Sequence, residues 1–513
     1  MDTDEYTLTE QILYDHADGT PARGEPISLD IDQILLHDVL GPLIWIEFEA
    51  LEYEAVQPDV VVQYADHQAY QLDARDTDTH RFLRTVTRKY GGHFSKPGAG
   101  ICHQIHRERF IEPGDTMIGC DSHSPTMGGF GAIGIGAGGL DVAVAMGGEP
   151  YTIEMPEVNL TGELDAWPSA KDVILELLRR LTVKGGVGRV FEFTGPGVES
   201  LSVPERCTIT NMTTELGATS AVFPSDERTR RHLERLGRAD AYRPLSPDEG
   251  ASYDETIELD LSAIEPLIAT PSMPDNIVPV TEAEGTGVDQ VLVGSCTNGS
   301  YFDIATVADI VTDQQVAGET DCILNPASKR SVELLAERGG TTELYAAGVN
   351  LSESTCGPCT GQGHIPGPDS VSLRAFNRNF KGRSGNEDDS VYLCSPEVAA
   401  ASAIEGEIVD PRTTDIETPS VDLPDDMTSS DVEILPPDPA TELYRGETIG
   451  TIPIKDPLAG TVRGPITLHT GDDITTDHIM PAAPEILSVW SDPQAAADYT
   501  LTRIDEAFPE RAR

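Results

Sequence analysis

Positive charge is what this 513-residue chain has least of: 35 lysines and arginines stand against 87 aspartates and glutamates, a net charge of −52. Most of the few bases are arginine, and lysine is scarce. A nucleic-acid binder needs basic stripes to displace phosphate counterions, and the chain carries none. An anionic membrane surface would repel it. The acid is spread over every segment rather than blocked at one end, which marks a solvating surface more than a cation-binding patch. Acid excess with few lysines fits adaptation to high salt, where screening removes most self-repulsion. No apolar run reaches membrane-spanning length; GPLIWIEF is far too short. The N-terminus MDTDEYTLTEQ is acidic, lacks an apolar core and does not read as a signal peptide. Cysteine is sparse as well, eight in the chain, too few for a disulfide scaffold. A cytoplasmic, reducing setting is expected, and there paired cysteines point to metal or catalysis.

What is present alternates between apolar strands and amphipathic helices. PSAKDVILELLRRL carries Val173, Ile174, Leu177, Leu178 and Leu181 on one face, with Ser169 and Asp172 as a capping-box start. GRVFEFTG and QVLVGS read as strands, FDIATVADIV as a helix, and SVYLC as a strand before a helix capped by Ser395 with Pro396 at its first position. Strand, loop and helix in succession predict α/β layers with parallel sheets. Residues 409–446 are rich in proline, threonine, serine and acid, lack apolar periodicity and read as a linker. No internal repeat is evident.

Several motifs could carry chemistry. GGFGAIGIGAGG contains Gly134-x-Gly136-x-x-Gly139, a dinucleotide-type pattern. No clear strand leads into it and no acid stands about twenty residues on, so close packing behind a site is the preferred reading. No Gly-Lys-Ser/Thr follows, which excludes a P-loop. Aspartate and histidine recur as neighbours: Asp66 with His67, His103 with His106, and Asp121 and His123 around Ser122. A carboxylate beside an imidazole sets its tautomer and pKa, and three such patches within the first 125 residues favour a shared site. Cys296 follows a predicted strand, and Cys356 and Cys359 lie in a Gly/Pro loop, STCGPCTGQGH. Ligands in open α/β sheets gather at such strand ends. On spacing alone an iron–sulfur cluster, a zinc site and a disulfide stay open, preferred in that order. FNRNFKGR places Arg378 and Arg383 among asparagines and glycine, a fork suited to a small polycarboxylate.

Taken together, GCDSHSPTMGGFGAIGIGAGG, VGSCTNGSYFD, CGPCTGQG, NRNFKGR and GDDITTDHIMPA resemble signature blocks of the aconitase superfamily, in that family's order. ICHQIH, LTVKGGVGRVFEFTGPGVESLS and ITNMTTELGATSAVFPSDE are similar too, so the resemblance runs through nearly all of the chain. It implies three α/β domains of parallel-sheet layers, residues 1–165, 166–285 and 286–408, the linker 409–446, and the start of a swivel domain over 447–513. It implies a [4Fe–4S] cluster on Cys296, Cys356 and Cys359 with one iron open to a small tricarboxylate. The implied activity is that of an aconitate hydratase, taking citrate to isocitrate through cis-aconitate. Asp66, His67, His103, Asp121 and His123 match residues that handle the leaving hydroxyl. Ser122 matches a substrate-binding serine, Asn211 and Glu215 match residues near the cluster, and Asn377, Arg378 and Arg383 match the segment that contacts cluster and carboxylates.

The chain departs from the family pattern twice. His37, in LLHDVLGP, stands where a substrate-binding glutamine is usual, and a histidine can still donate a hydrogen bond. The serine base of a GSSREHA-type motif is not found; the sequence ends at FPERAR, early in the swivel domain. The expectation is a separate C-terminal polypeptide or a truncated product, with this chain alone weakly active or inactive. A large subunit of 3-isopropylmalate dehydratase or homoaconitase is the alternative, and would explain the missing serine. The linker and GDDITTDHIMPA favour the aconitate hydratase reading. A non-enzymatic iron-responsive binding protein, an iron sensor or RNA-binding regulator, is the alternative of another class, and the charge argues against RNA. A zinc-structured NAD dehydrogenase leaves the arginines and the Asp–His patches unexplained.

Overall fold

The computed structural model describes residues 5–17, 27–153, 164, 167–454, 457, 460–461, 463–472, 474, 476–481, 486 and 489–513. Strands in the first half are β1 (Ile27–Leu29), β2 (Gln33–Leu36), β3 (Val60–Tyr64), β4 (His93–Ser95), β5 (Thr116–Gly119), β6 (Ile133–Gly136), β7 (Tyr151–Ile153), β8 (Val190–Glu192) and β9 (Ser220–Val222). Those in the second are β10 (Leu267–Ala269), β11 (Ile277–Pro279), β12 (Gln290–Gly294), β13 (Asp321–Asn325), β14 (Asn350–Leu351), β15 (Val371–Ala375), β16 (Ser390–Leu393) and β17 (Ile434–Leu435). They make a six-stranded sheet ordered β17-β4-β3-β2-β5-β6 and a seven-stranded sheet ordered β11-β10-β16-β15-β12-β13-β14, with β1–β7 and β8–β9 as separate pairs.

In the six-stranded sheet β4, β3, β2, β5 and β6 run parallel, and in the other so do β16, β15, β12, β13 and β14. The antiparallel pairings lie toward one edge of each sheet, β17 on β4 in the first and β11–β10–β16 in the second. VVVQY and QVLVG are nearly unbroken apolar runs because helices cover both faces of such sheets. The expected α/β layers are therefore present. One apolar cluster joins Val62 and Met117 of the first sheet to Leu292 and Leu373 of the second through Ile174 and Phe193.

Local chemistry accounts for the elements around the site. Ser169 and Asp172 close the capping box of the helix Ala170–Leu181, and Ser395 caps the helix Pro396–Glu405 with Pro396 at its start. The glycine-rich stretch holds a strand of its own, β6, followed by the helix Gly139–Met146. Its glycines serve close packing: a Cβ on Gly129 would sit 2.7 Å from the Cys207 backbone nitrogen, and one on Gly136 would sit 3.0 Å from the Asp121 carbonyl. Residues 409–446, expected as a linker, are fastened to the body. β17 pairs with β4, Lys329 reaches Glu433, Arg88 reaches Asp438, and Tyr444 bonds Asp78. Asp473, Thr475 and Ala482 of GDDITTDHIMPA lie outside the described residues, as do residues 483–485 just beyond it.

Candidate active site

The site forms where the carboxyl ends of the two parallel sheets face each other. β2 runs into His37 and Asp38, β3 into Asp66 and His67, and β5 into Asp121, Ser122 and His123. From the other side β12 leads to Cys296 and β15 to Asn377 and Arg378. Strand ends in open α/β sheets leave loop backbone and side chains free to converge. Here Gly294 and Ser295 turn sharply at φ 140° and 65° to present Cys296, and a side chain on Gly294 would strike the Asn325 backbone.

All three candidate thiols are buried and free, and no disulfide joins them. Asn377 spans two of them, with Nδ2 3.4 Å from Cys296 Sγ and Oδ1 3.3 Å from Cys359 Sγ. Asn211 Nδ2 donates to Cys296 Sγ from 3.4 Å, and Arg383 Nη2 lies 3.8 Å from Cys359 Sγ. A hydrogen bond from Cys356 and the charge of Arg383 hold the Cys359 thiol well below its ordinary pKa, against burial. Burial, with the Cys359 charge, pushes Cys296 up to about 12. Among the described residues the three sulfurs do not gather within 4.8 Å of one another, the spread of a single-ion site. That geometry does not fit one tetrahedral zinc. It fits a cluster whose thiolates bind separate irons, with amide and guanidinium donors available to the sulfurs.

Asp121 is the hub of the imidazole network. It accepts from His103 Nε2 at 2.8 Å and from the His123 backbone N–H at 2.8 Å, and lies 3.3 Å from His67 Nε2. Burial opposes its ionisation, but the charge and hydrogen bond of His103 and the bonds from His123 and His67 hold it well below the usual carboxylate range. His67 Nδ1 lies 3.0 Å from Asp66 Oδ1. Burial disfavours the His67 imidazolium, yet Asp66 and Asp121 on its two nitrogens raise its pKa well above the ordinary value. Asp66 also reaches the cysteine loop: its Oδ2 accepts from the Cys102 N–H at 2.8 Å and its carbonyl from the Cys356 N–H at 2.9 Å.

A second chain of contacts begins at His123. Its Nε2 lies 3.0 Å from Glu215 Oε1, which also accepts from Arg378 Nε at 2.8 Å. Arg378 Nη2 donates to Ser122 Oγ at 3.0 Å. Arg383 Nε and His103 Nδ1 are buried without a hydrogen-bond partner. His37 stacks on His67 with ring centroids 4.2 Å apart. Its Nδ1 accepts from the Val39 N–H at 3.2 Å. Burial, then the neighbouring His67 charge, pushes His37 down to about 4. The ring is therefore neutral, with its hydrogen on Nε2 as a donor.

All twelve candidates, the imidazole, carboxylate, amide and arginine groups with the Ser122 hydroxyl, thus fall around the three thiols, whereas two neighbours do not. His106 bonds Tyr64 and Gln33 in the core, and Asn379 bonds the Thr270 and Val391 carbonyls. Sequence reasoning passed over Asp38, whose oxygens accept from the His67 and Gln68 N–H groups and from His80 Nε2. Its place after His37, another Asp–His neighbour pair, was the available signal.

Comparison with known proteins gives a match to the Aconitase family (aconitate hydratase) over residues 10–406. The 3-isopropylmalate dehydratase large subunit 2 of Archaeoglobus fulgidus is 38 % identical over 411 residues, 79 % of this chain and 99 % of that protein. The large subunit 1 of Methanopyrus kandleri is 36 % identical over 415 residues, again 79 % and 99 %. The holo-form structure of Thermococcus kodakaraensis aconitase X is 12 % identical, with a TM-score of 0.41 over 75 % of this chain and 87 % of that one. The expectation of aconitate hydratase activity on citrate is corrected here: relatives matched over almost their whole length carry the name of a different dehydratase.

Proposed function

The chain belongs to the aconitase family, and on that premise we propose that it is the large subunit of a 3-isopropylmalate dehydratase. The observation that carries this reading is the match to 99 % of two such large subunits at 38 % and 36 % identity. The substrate is a hydroxy acid with two carboxylates, and the site offers two guanidinia, Arg378 and Arg383. Family members are hydro-lyases with a [4Fe–4S] cluster. Cys296, Cys356 and Cys359 would hold the cluster, which would supply an iron free of thiolate as a Lewis acid.

The remaining roles fall to this chain's own groups. Arg378, oriented by Glu215 and Ser122, binds a substrate carboxylate bidentately. His67, protonated between Asp66 and Asp121, gives the Nε2 proton that lets the hydroxyl leave as water. Asp66 and Asp121 stabilise the cation before transfer and hold the ring in line, so orientation precedes chemistry. His37 Nε2–H donates to a substrate oxygen. Among the described residues every imidazole of this network is ion-paired or an established donor. The base that takes the carbon-bound proton is assigned to a separate small subunit. Turnover of 3-isopropylmalate by the anoxically purified chain, alone and with a small subunit added, tests this. Supplying the base is expected to raise the rate by about 10²-fold or more; equal rates with and without it would overturn the assignment.

A further inference from the structure

Arg374 lies on β15, a central strand of the seven-stranded sheet, and is 1 % exposed. In a chain so poor in bases, a wholly buried guanidinium calls for a reason. Its donors go to backbone and neutral groups. Nη1 donates to the Pro358 carbonyl at 3.3 Å and Nη2 to the His364 carbonyl at 3.1 Å. Nε donates to Ser372 Oγ at 2.9 Å, and Nη2 also to Gln290 Oε1 at 3.2 Å. Pro358 stands between Cys356 and Cys359, and His364 closes the same loop. Among the described residues no carboxylate oxygen lies within the 4.0 Å of an ion pair. Against burial, the charges that most support its ionised form are Cys359, then Asp389, whose Oδ2 has no hydrogen-bond partner. A cation buried without a counter-charge is strongly unfavourable.

We infer that Arg374 is the buried counter-charge of the iron–sulfur cluster, a positioning residue that pins the loop carrying Cys356 and Cys359 and sets the cluster's redox poise. The inference rests on the cluster assignment and goes beyond it, since Arg374 belongs to neither the thiol set nor the substrate contacts. Three thiolates make the loaded site net negative, and a fixed positive charge behind them favours the more reduced state.

The test is a potentiometric titration of the anoxic, iron-loaded chain, in which dithionite adds one electron to the cluster and electron paramagnetic resonance reads the reduced form. Arg374→Gln is expected to lower the reduction equilibrium tenfold, 59 mV for one electron. Arg374→Lys keeps the charge and should stay within threefold of the parent. Asp389→Asn removes the carboxylate that shares the field and should shift the potential the opposite way. An unchanged potential in Arg374→Gln, or equal shifts in the Gln and Lys variants, would overturn the inference and leave only a loop staple. Should Arg374→Gln fail to fold, an unshifted Asp389→Asn overturns it instead. A parent chain that binds no iron would refute the cluster assignment itself, while loaded protein with unmoved potentials sinks this inference alone.

Discussion

Asp121 accepts hydrogen bonds from His103 and from the His123 backbone, and pairs with His67 at 3.3 Å. Asp121→Asn leaves the shape but removes the charge that favours the His67 imidazolium. Expected is a fall in kcat of about 10²–10⁴-fold with KM little changed, because the substrate carboxylates are held elsewhere; steady-state kinetics check it, and a pure KM effect would contradict the role. Asp121 and His67 were legible because each is a reactive type just past the apolar run of a strand. Arg374 was not. Its partners are mostly carbonyls and neutral groups, which no sequence motif encodes, and its one outward sign is a charge placed inside the strand VSLRA.

At the scale of elements, capping chemistry read well: Ser169 with Asp172 and Ser395 with Pro396 start their helices as expected. The glycine stretch read less well, since its alternate glycines leave IGIG only two side chains, Ile133 and Ile135, too few to mark a strand without its pairing to β5. β17 has two residues in a proline-rich stretch, and only its partner β4 makes it a strand. The helix Pro396–Glu405 carries an unusual acid near its start. Burial, and then the neighbouring carboxylates Asp172, Asp303 and Glu205, push Glu397 up to about 8. A raised acid favours the protonated fold, so its contribution is complete below the unfolded pKa near 4.5 and is lost as pH climbs to about 8. Stability should fall across that window by as much as about 1.4 kcal/mol per pH unit from this group. Glu397→Gln should flatten the decline, as urea midpoints at several pH values would show; parallel profiles would contradict it.

For the whole molecule, a net charge of −52 dominates the long-range electrostatics. Salt shortens the screening length from about 10 Å at 0.1 M to about 3 Å at 1 M, so Tm should rise across that range of KCl. A flat or falling Tm would show that repulsion does not limit the fold. The family match ends at residue 406, and the following strap binds back to the first sheet through β17 and Tyr444. The α/β layers were legible from alternation alone, while the substrate was not, because one arginine or histidine can greet several hydroxy acids and the motifs are shared across them. Substrate choice is therefore the most direct trial. With the chain iron-loaded and a small subunit supplied, kcat/KM for 3-isopropylmalate should exceed that for citrate by at least about 10²-fold. A preference for citrate would contradict the account.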